Sequence, residues 1–249
     1  MAVPRNPWSV DDPHALEALR EAAFGELKMV YDASNYVFLA SLTHPRYGAG
    51  LGIYKPARGE RPLHDFPFGT LHRREVAAYE FSRLLGWEII PPTVEREGPR
   101  GEGSLQLFVA HDHAQHYFKL REQQRYAEQL IRFAAFDLLA NNADRKGGHL
   151  VLDAEERLWG IDNGLCFHQY QKLRTVIWDF AGAPLAERWA ADIARVRDCL
   201  AAQEESTAEF RALLSETEVQ ALVRRCAALA AHPQLPEMFA YRCVPWPLI

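Results

Sequence analysis

The chain has 249 residues, of which 48% are hydrophobic and 24% charged, with 28 Lys+Arg against 33 Asp+Glu and a net charge of -5. That much apolar surface offsets chain entropy and excludes a disordered or fibrous chain, while the acidic balance excludes a global basic field for nucleic acid or an anionic membrane. The longest nearly apolar run, residues 131–140, contains Arg132 and Asp137 and falls far short of the ~20 residues of a spanning helix. Residues 1–23 carry charges throughout, without the apolar core of a secretory leader. The expectation is a cytoplasmic protein with no nucleic-acid partner and no integral membrane association. Four single cysteines, Cys166, Cys199, Cys226 and Cys243, have no Cys-x-x-Cys spacing and read as reduced, structural thiols.

In chain order, residues 26–42 place apolar residues on both sides of Asp32-Ala33-Ser34-Asn35, which predicts a hairpin with a tight loop. The glycine-rich run 48–52 then enters a short strand, Ile53-Tyr54-Lys55, ended by Pro56. Helical spacing over 71–85, with Gly86 as its stop, predicts a helix carrying Glu75 and Glu80. A strand near 89–94, a polar turn over 95–103 and a buried strand over 105–110 follow. Beyond His111 the pattern becomes helical. One long amphipathic helix is expected over 122–141, then a small hairpin, 149–152 and 158–161, then Ala-, Leu- and Arg-rich helix over 184–231.

Two acids flank that small hairpin. Asp144 precedes it in Asn142-Ala143-Asp144-Arg145-Lys146, and Asp162 follows it in Ile161-Asp162-Asn163-Gly164. A kinase catalytic loop has the form Asp-x-x-x-x-Asn, followed by a strand pair and a metal-binding Asp. Upstream stand the other parts in the required order: a hairpin loop to cover phosphates, a strand lysine, Lys55, and a helix glutamate, Glu75, to hold it by an ion pair. Glu80 competes for that pairing role, and Asp144 taken alone reads as a turn-capping residue before Gly147-Gly148.

The motifs Asn141-Asn142-Ala143-Asp144-Arg145 and Ile161-Asp162-Asn163-Gly164-Leu165-Cys166-Phe167 resemble those of the phosphatidylinositol 3-/4-kinase superfamily, closest to the type II phosphatidylinositol 4-kinases and their small bacterial relatives. The resemblance takes in Ile53-Tyr54-Lys55-Pro56, Glu75, and Gly103-Ser104-Leu105-Gln106-Leu107-Phe108-Val109, and it spans roughly residues 32–178. It implies an α+β, two-lobed, protein-kinase-like fold in one domain over 1–249, with a small antiparallel-sheet lobe at about 20–109 and a mainly helical lobe at 110–249. It further implies ATP as substrate with Mg²⁺ or Mn²⁺. Lys55 would meet the α/β-phosphates with Glu75 as its partner. Ser34, Asn35, Gln106, Phe108, Val109 and Ala110 would line the nucleotide, Asp144 would serve the acceptor hydroxyl, and Asp162 would hold metal.

This chain departs from the family pattern at two places. His149 stands where the second metal ligand is usually Asn, and an imidazole there predicts that Mn²⁺ serves at least as well as Mg²⁺. The phosphate loop has no glycine, so Ser34 and Asn35 must supply its contacts. The expected activity is transfer of the γ-phosphate to a hydroxyl on a protein side chain, a soluble polyol or an inositol-type head group. Alternatives are AMP transfer on the same fold, a catalytically silent nucleotide-binding scaffold, and a metal-dependent hydrolase built on Asp144, His149 and Asp162. Lys172 and Arg174 follow the metal Asp as an activation segment does, where they would either contact an anionic acceptor or sit in a solvated loop.

Overall fold

The computed structural model describes residues 4–30 and 35–249. Strands β1 (Ala23–Met29), β2 (Phe38–His44) and β3 (Gly48–Pro56) form an antiparallel meander. The hairpin β4 (Thr93–Gly98) and β5 (Gly101–Leu107) adds to it, giving the order β1-β2-β3-β5-β4. Period-two alternation decides what faces where. Phe38, Ala40 and Leu42 pair with Tyr54, Gly52 and Gly50, and this face is buried together with Leu105, Leu107 and Leu19. The opposite face of β3 carries Leu51, Ile53 and Lys55, and the register sets Gln106 beside Ile53 and Ser104 beside Lys55.

The strand around Lys55 is longer than expected, because the glycine run belongs to it rather than to a loop. A Cβ on Gly50 would lie 2.1 Å from the Trp8 ring, so the indole occupies the space a side chain would need. The polar turn expected over 95–103 is itself paired hairpin, with Gly98 opposite Gly101, and the following strand ends at Leu107 rather than at 110. Helix α1 (Ala15–Glu21), absent from the sequence reading, covers the sheet with Ala15, Ala18 and Leu19. Its end is closed by Arg96, whose Nη1 donates to the carbonyls of Leu19 (2.6 Å) and Ala22 (2.9 Å).

Helix α2 (Leu71–Leu85) forms where the spacing predicts, and Gly86 ends it in the left-handed conformation at φ 70°. The long helix predicted over 122–141 begins later. A short α3 (Tyr117–Leu120) and a 3-10 turn (Gln124–Tyr126) precede α4 (Ala127–Ala140), since residues 122–125 offer no apolar side to bury. Strands β6 (Leu150–Leu152) and β7 (Leu158–Gly160) make the expected small hairpin. The helical tail is divided into α5 (Glu187–Ala201), α6 (Ala208–Ala212) and α7 (Glu216–Ala231), the last begun by a Ser215/Glu218 capping box. Phe81 of α2 packs with Phe136, Phe167 and Phe210, so one core joins α2 to the helical part. The four cysteines are unpaired, and among the described residues no helix is long and apolar enough to cross a membrane.

Candidate active site

Lys55 is held at the cleft side of β3 by two acids. Its Nζ donates to Glu75 Oε1 and, at 2.8 Å, to Asp162 Oδ1. Burial alone would lower the lysine, but the carboxylates of Asp162 and Glu75 outweigh it and hold the ammonium well above its ordinary range. Asp162 is correspondingly driven far below the usual carboxylate range, first by Lys55. The other Glu75 oxygen accepts the Asn163 N–H at 2.9 Å, so this one side chain connects β3, α2 and the segment after β7. The rival Glu80 is taken by Arg83, at 3.0 and 2.7 Å.

Helix α2 is fixed from both sides. His72 lies between Glu60 Oε1 (3.0 Å) and Glu95 Oε1 (3.1 Å) in the sheet part, and Arg74 reaches the helical part, donating to the Cys166 carbonyl (2.8 Å) and to Glu218. Glu75 therefore meets Lys55 from a helix clamped along its first turns.

Across the cleft, Arg145 organises both acidic motifs. Its guanidinium, wholly buried, bonds Asp137 of α4 (Nε to Oδ1 3.0 Å), the Ile161 carbonyl (2.9 Å) and Asn163 Oδ1 (2.7 Å). Ile161 and Asn163 bracket Asp162, which adopts a left-handed backbone at φ 57° and leaves its carboxylate open to solvent. Asp144 is half-buried, with Lys146 Nζ 3.4 Å from its carboxylate, and its N–H donates to Asn142 Oδ1 at 3.0 Å. Burial raises its pKa, Lys146 opposes that, and Asp162 adds to it.

His149 comes to Asp162, its Nε2 3.3 Å from Oδ2. Its Nδ1 accepts the Lys146 N–H at 3.3 Å, so the ring proton sits on Nε2, the nitrogen on the Asp162 side of the ring. Burial pushes the imidazole down to about 4, leaving it neutral near pH 7. Reading His149 as a metal ligand does not fit this arrangement. Coordination through Nε2 would move the proton to Nδ1, against the Lys146 N–H. Asp162 does fit a divalent cation, being an ionised, outward-facing oxygen donor.

The expected base-binding residues divide. Gln106 lies on the Lys55 face, but its amide is tied to Thr93 Oγ1 at 2.9 Å. Both backbone groups of Phe108 are occupied, the N–H by the Leu51 carbonyl (3.1 Å) and the carbonyl by Asn6 Nδ2 (2.8 Å). The Val109 carbonyl meets His111 Nδ1 at 2.8 Å. Among the described residues, this leaves the Val109 N–H and both Ala110 groups without a protein partner. Asn35 is engaged within the sheet part. Its Oδ1 accepts the Arg61 N–H at 2.9 Å, tying the β1–β2 hairpin to the β3–α2 connection. Ser34 lies outside the described residues. Lys172 pairs with Asp65 at 2.8 Å.

Sequence reasoning missed Asp137, Asn163 and Asn6. Asp137 left a trace as a lone acid in an apolar helical run, and Asn163 stands inside the Asp-Asn-Gly motif without a role of its own, whereas nothing marks Asn6.

No family model matches the chain. Among solved structures it is similar to a hydra Fam20 protein determined with sugar, at a TM-score of 0.54 and 15% identity over 87% of this chain and 86% of that one. A second match, to the Helicobacter pylori proinflammatory kinase CtkA, has a TM-score of 0.49 and 11% identity over 87% of this chain and 94% of that one. With the Fam20 match, the five-stranded antiparallel sheet and the helical part that follows it make a two-lobed, kinase-like α+β fold. In sequence, the chain is 36% identical to Protein Rv2133c of Mycobacterium tuberculosis over an alignment of 274 positions, gaps included, covering 95% of each. At that identity over nearly the whole of both chains, this protein belongs to the same family as Protein Rv2133c.

Proposed function

We propose that this protein is an ATP-dependent phosphotransferase of phosphatidylinositol 3-/4-kinase-like type, moving the γ-phosphate to a hydroxyl acceptor. The observation that carries the reading is Lys55 held between Glu75 and Asp162 on one side of the cleft, with Asp144 and Lys146 on the other. Five charged groups from four segments of the chain converge there, and a site of carboxylates plus lysine is what phosphoryl transfer requires. Its loose transition state asks the protein for in-line positioning and charge neutralisation more than for covalent chemistry.

Lys55, released from Asp162 to the α/β-phosphates, keeps Glu75 as its anchor. Asp162 would hold a divalent metal, Mg²⁺ or Mn²⁺, and that ion would supply charge neutralisation for the transferred phosphate. His149 lies against Asp162, its Nε2 3.3 Å from the carboxylate, and limits where that side chain can turn. Asp144 accepts the proton of the acceptor hydroxyl as the new O–P bond forms and the bond to the β-phosphate oxygen breaks, releasing ADP. The raised pKa of Asp144 favours taking that proton. The Val109 N–H and the Ala110 backbone read the base over an apolar floor of Val109, Val151, Trp159 and Ile161.

The test is incubation with ATP labelled separately at the γ- and α-phosphates, with Mg²⁺ or Mn²⁺, comparing wild type with Asp162→Ala for label on the protein and for ATP hydrolysis. γ-Label, or hydrolysis abolished by Asp162→Ala, supports the phosphotransferase. α-Label makes the chain an AMP transferase. ATP-dependent thermal stabilisation without label or hydrolysis makes it a silent scaffold.

A further inference from the structure

Residues 6–11 lie outside the kinase-like motifs, yet they touch the sheet lobe, the hinge and the helical lobe together. The centre of this contact is Asn6. Its Nδ2 donates to the carbonyls of Leu51 (3.0 Å) and Phe108 (2.8 Å), and its Oδ1 accepts the N–H of Leu51 (2.9 Å) and of Trp8 (3.2 Å). An asparagine amide has two donor hydrogens and two acceptor positions, and all four are used. Trp8 lies on Gly50 of β3, and its indole N–H donates to the Tyr47 carbonyl at 3.0 Å. Val10 packs against both the sheet cluster and the Val109/Val151/Trp159 cluster. Asp11 then makes a two-pronged pair with Arg157 of the β6–β7 turn, at 2.6 and 3.0 Å.

We propose that residues 6–11 are a brace behind the hinge, with Asn6 as the positioning residue that decides which hinge groups remain for a base. This rests on the nucleotide reading above. With the Phe108 carbonyl held by Asn6 and the Val109 carbonyl by His111, the base-reading edge is the Val109 N–H with the Ala110 N–H and carbonyl. The brace acts through hydrogen-bond polarity as well as bulk, because the two carbonyls that Asn6 serves need donors. Aspartate has the same shape and supplies none. Placed there it would set a carboxylate against two carbonyl oxygens.

The experiment compares wild type, Asn6→Ala and Asn6→Asp as full chains, by amide hydrogen exchange without nucleotide and by titration with a fluorescent ATP analogue plus Mg²⁺. Both variants are expected to exchange about tenfold faster at residues 51, 107 and 108, with α7 unchanged, and Asn6→Asp to be at least as fast as Asn6→Ala. Analogue affinity is expected to fall about five- to tenfold, with turnover at saturation within about twofold of wild type. Asn6→Asp indistinguishable from wild type at the hinge overturns the brace. Should the variants not fold, the wild type decides: the Leu51 amide, whose hydrogen goes to the Asn6 side chain, is expected to exchange as slowly as its strand neighbours, and fast exchange there overturns the proposal. A wild type that binds no nucleotide overturns the base-reading role together with the phosphotransferase reading, while the exchange data still decide the brace.

Discussion

Replacing Arg145 with methionine tests the idea that a single buried guanidinium holds both acidic motifs in place. Arg145 and Asp137 are each wholly excluded from solvent. Removing one partner of such a pair costs about 3–5 kcal/mol, because the remaining charge stays buried without its counter-ion. The Ile161 carbonyl and Asn163 Oδ1 also lose their donors, while Thr175 Oγ1 (3.0 Å) and Asn142 Nδ2 (3.2 Å) continue to serve Asp137. The two effects oppose, so Arg145→Met is expected to cost about 3–5 kcal/mol in urea unfolding followed by circular dichroism at pH 7.

Two controls separate this mechanism from simple loss of packing. The double variant Arg145→Met/Asp137→Leu removes the stranded charge, and it is expected to be more stable than Arg145→Met alone. The second control is pH. Burial already raises the Asp137 pKa, and Arg145 is the largest influence opposing it. Without Arg145 that pKa rises further, so the folded variant holds a proton more tightly than the unfolded chain. The contribution of Asp137 is then greatest at low pH and is lost as pH rises through its folded pKa, so the deficit against wild type shrinks on acidification. A pH-independent deficit, or a double variant destabilised by the sum of the single changes, would refute the reasoning.

Asp144→Ala is expected to lower transfer by about 10²–10⁴-fold with ATP affinity nearly unchanged, whereas Asp162→Ala weakens both; equal effects on binding and turnover in the two variants would contradict the assigned roles. Because Asp144 must be ionised to accept a proton and burial raises its pKa, the acid limb of the rate profile is expected above the ordinary aspartate range, and a limb at or below that range would count against it as the base. With His149 beside Asp162 rather than on the metal, chelator-stripped protein is expected to recover activity with Mg²⁺ at least as fully as with Mn²⁺, and recovery with Mn²⁺ alone would make the imidazole a ligand. Gly50→Ala sets a methyl inside the Trp8 ring, and urea titration is expected to show a loss of about 1–3 kcal/mol.

The parts of this molecule that could be read from sequence are those whose physical cause is local. Helix α2 and its Gly86 stop follow from side-chain spacing and from one backbone conformation, and Lys55 follows from its place at a strand end before Pro56. The expected strand starts only after the glycine run because the group that covers those glycines, Trp8, lies about forty residues upstream in a segment with no periodicity. His149 was found by position, but its role depends on which ring nitrogen faces the Lys146 N–H, and spacing carries no such information. Arg74 makes the point most sharply. Between Arg73 and Glu75 it belongs, by composition, to a charged and exposed helix face. In the structure it is among the most buried side chains, since α7, more than a hundred residues later, covers that face and brings Glu218 to it. A helix buried on several sides needs charges inside as well as apolar residues, and each inner charge is tolerable only with its partner in place. The same Arg74 that hides the character of α2 in the sequence therefore fixes the helix between the lobes, and that fixed helix brings Glu75 to Lys55.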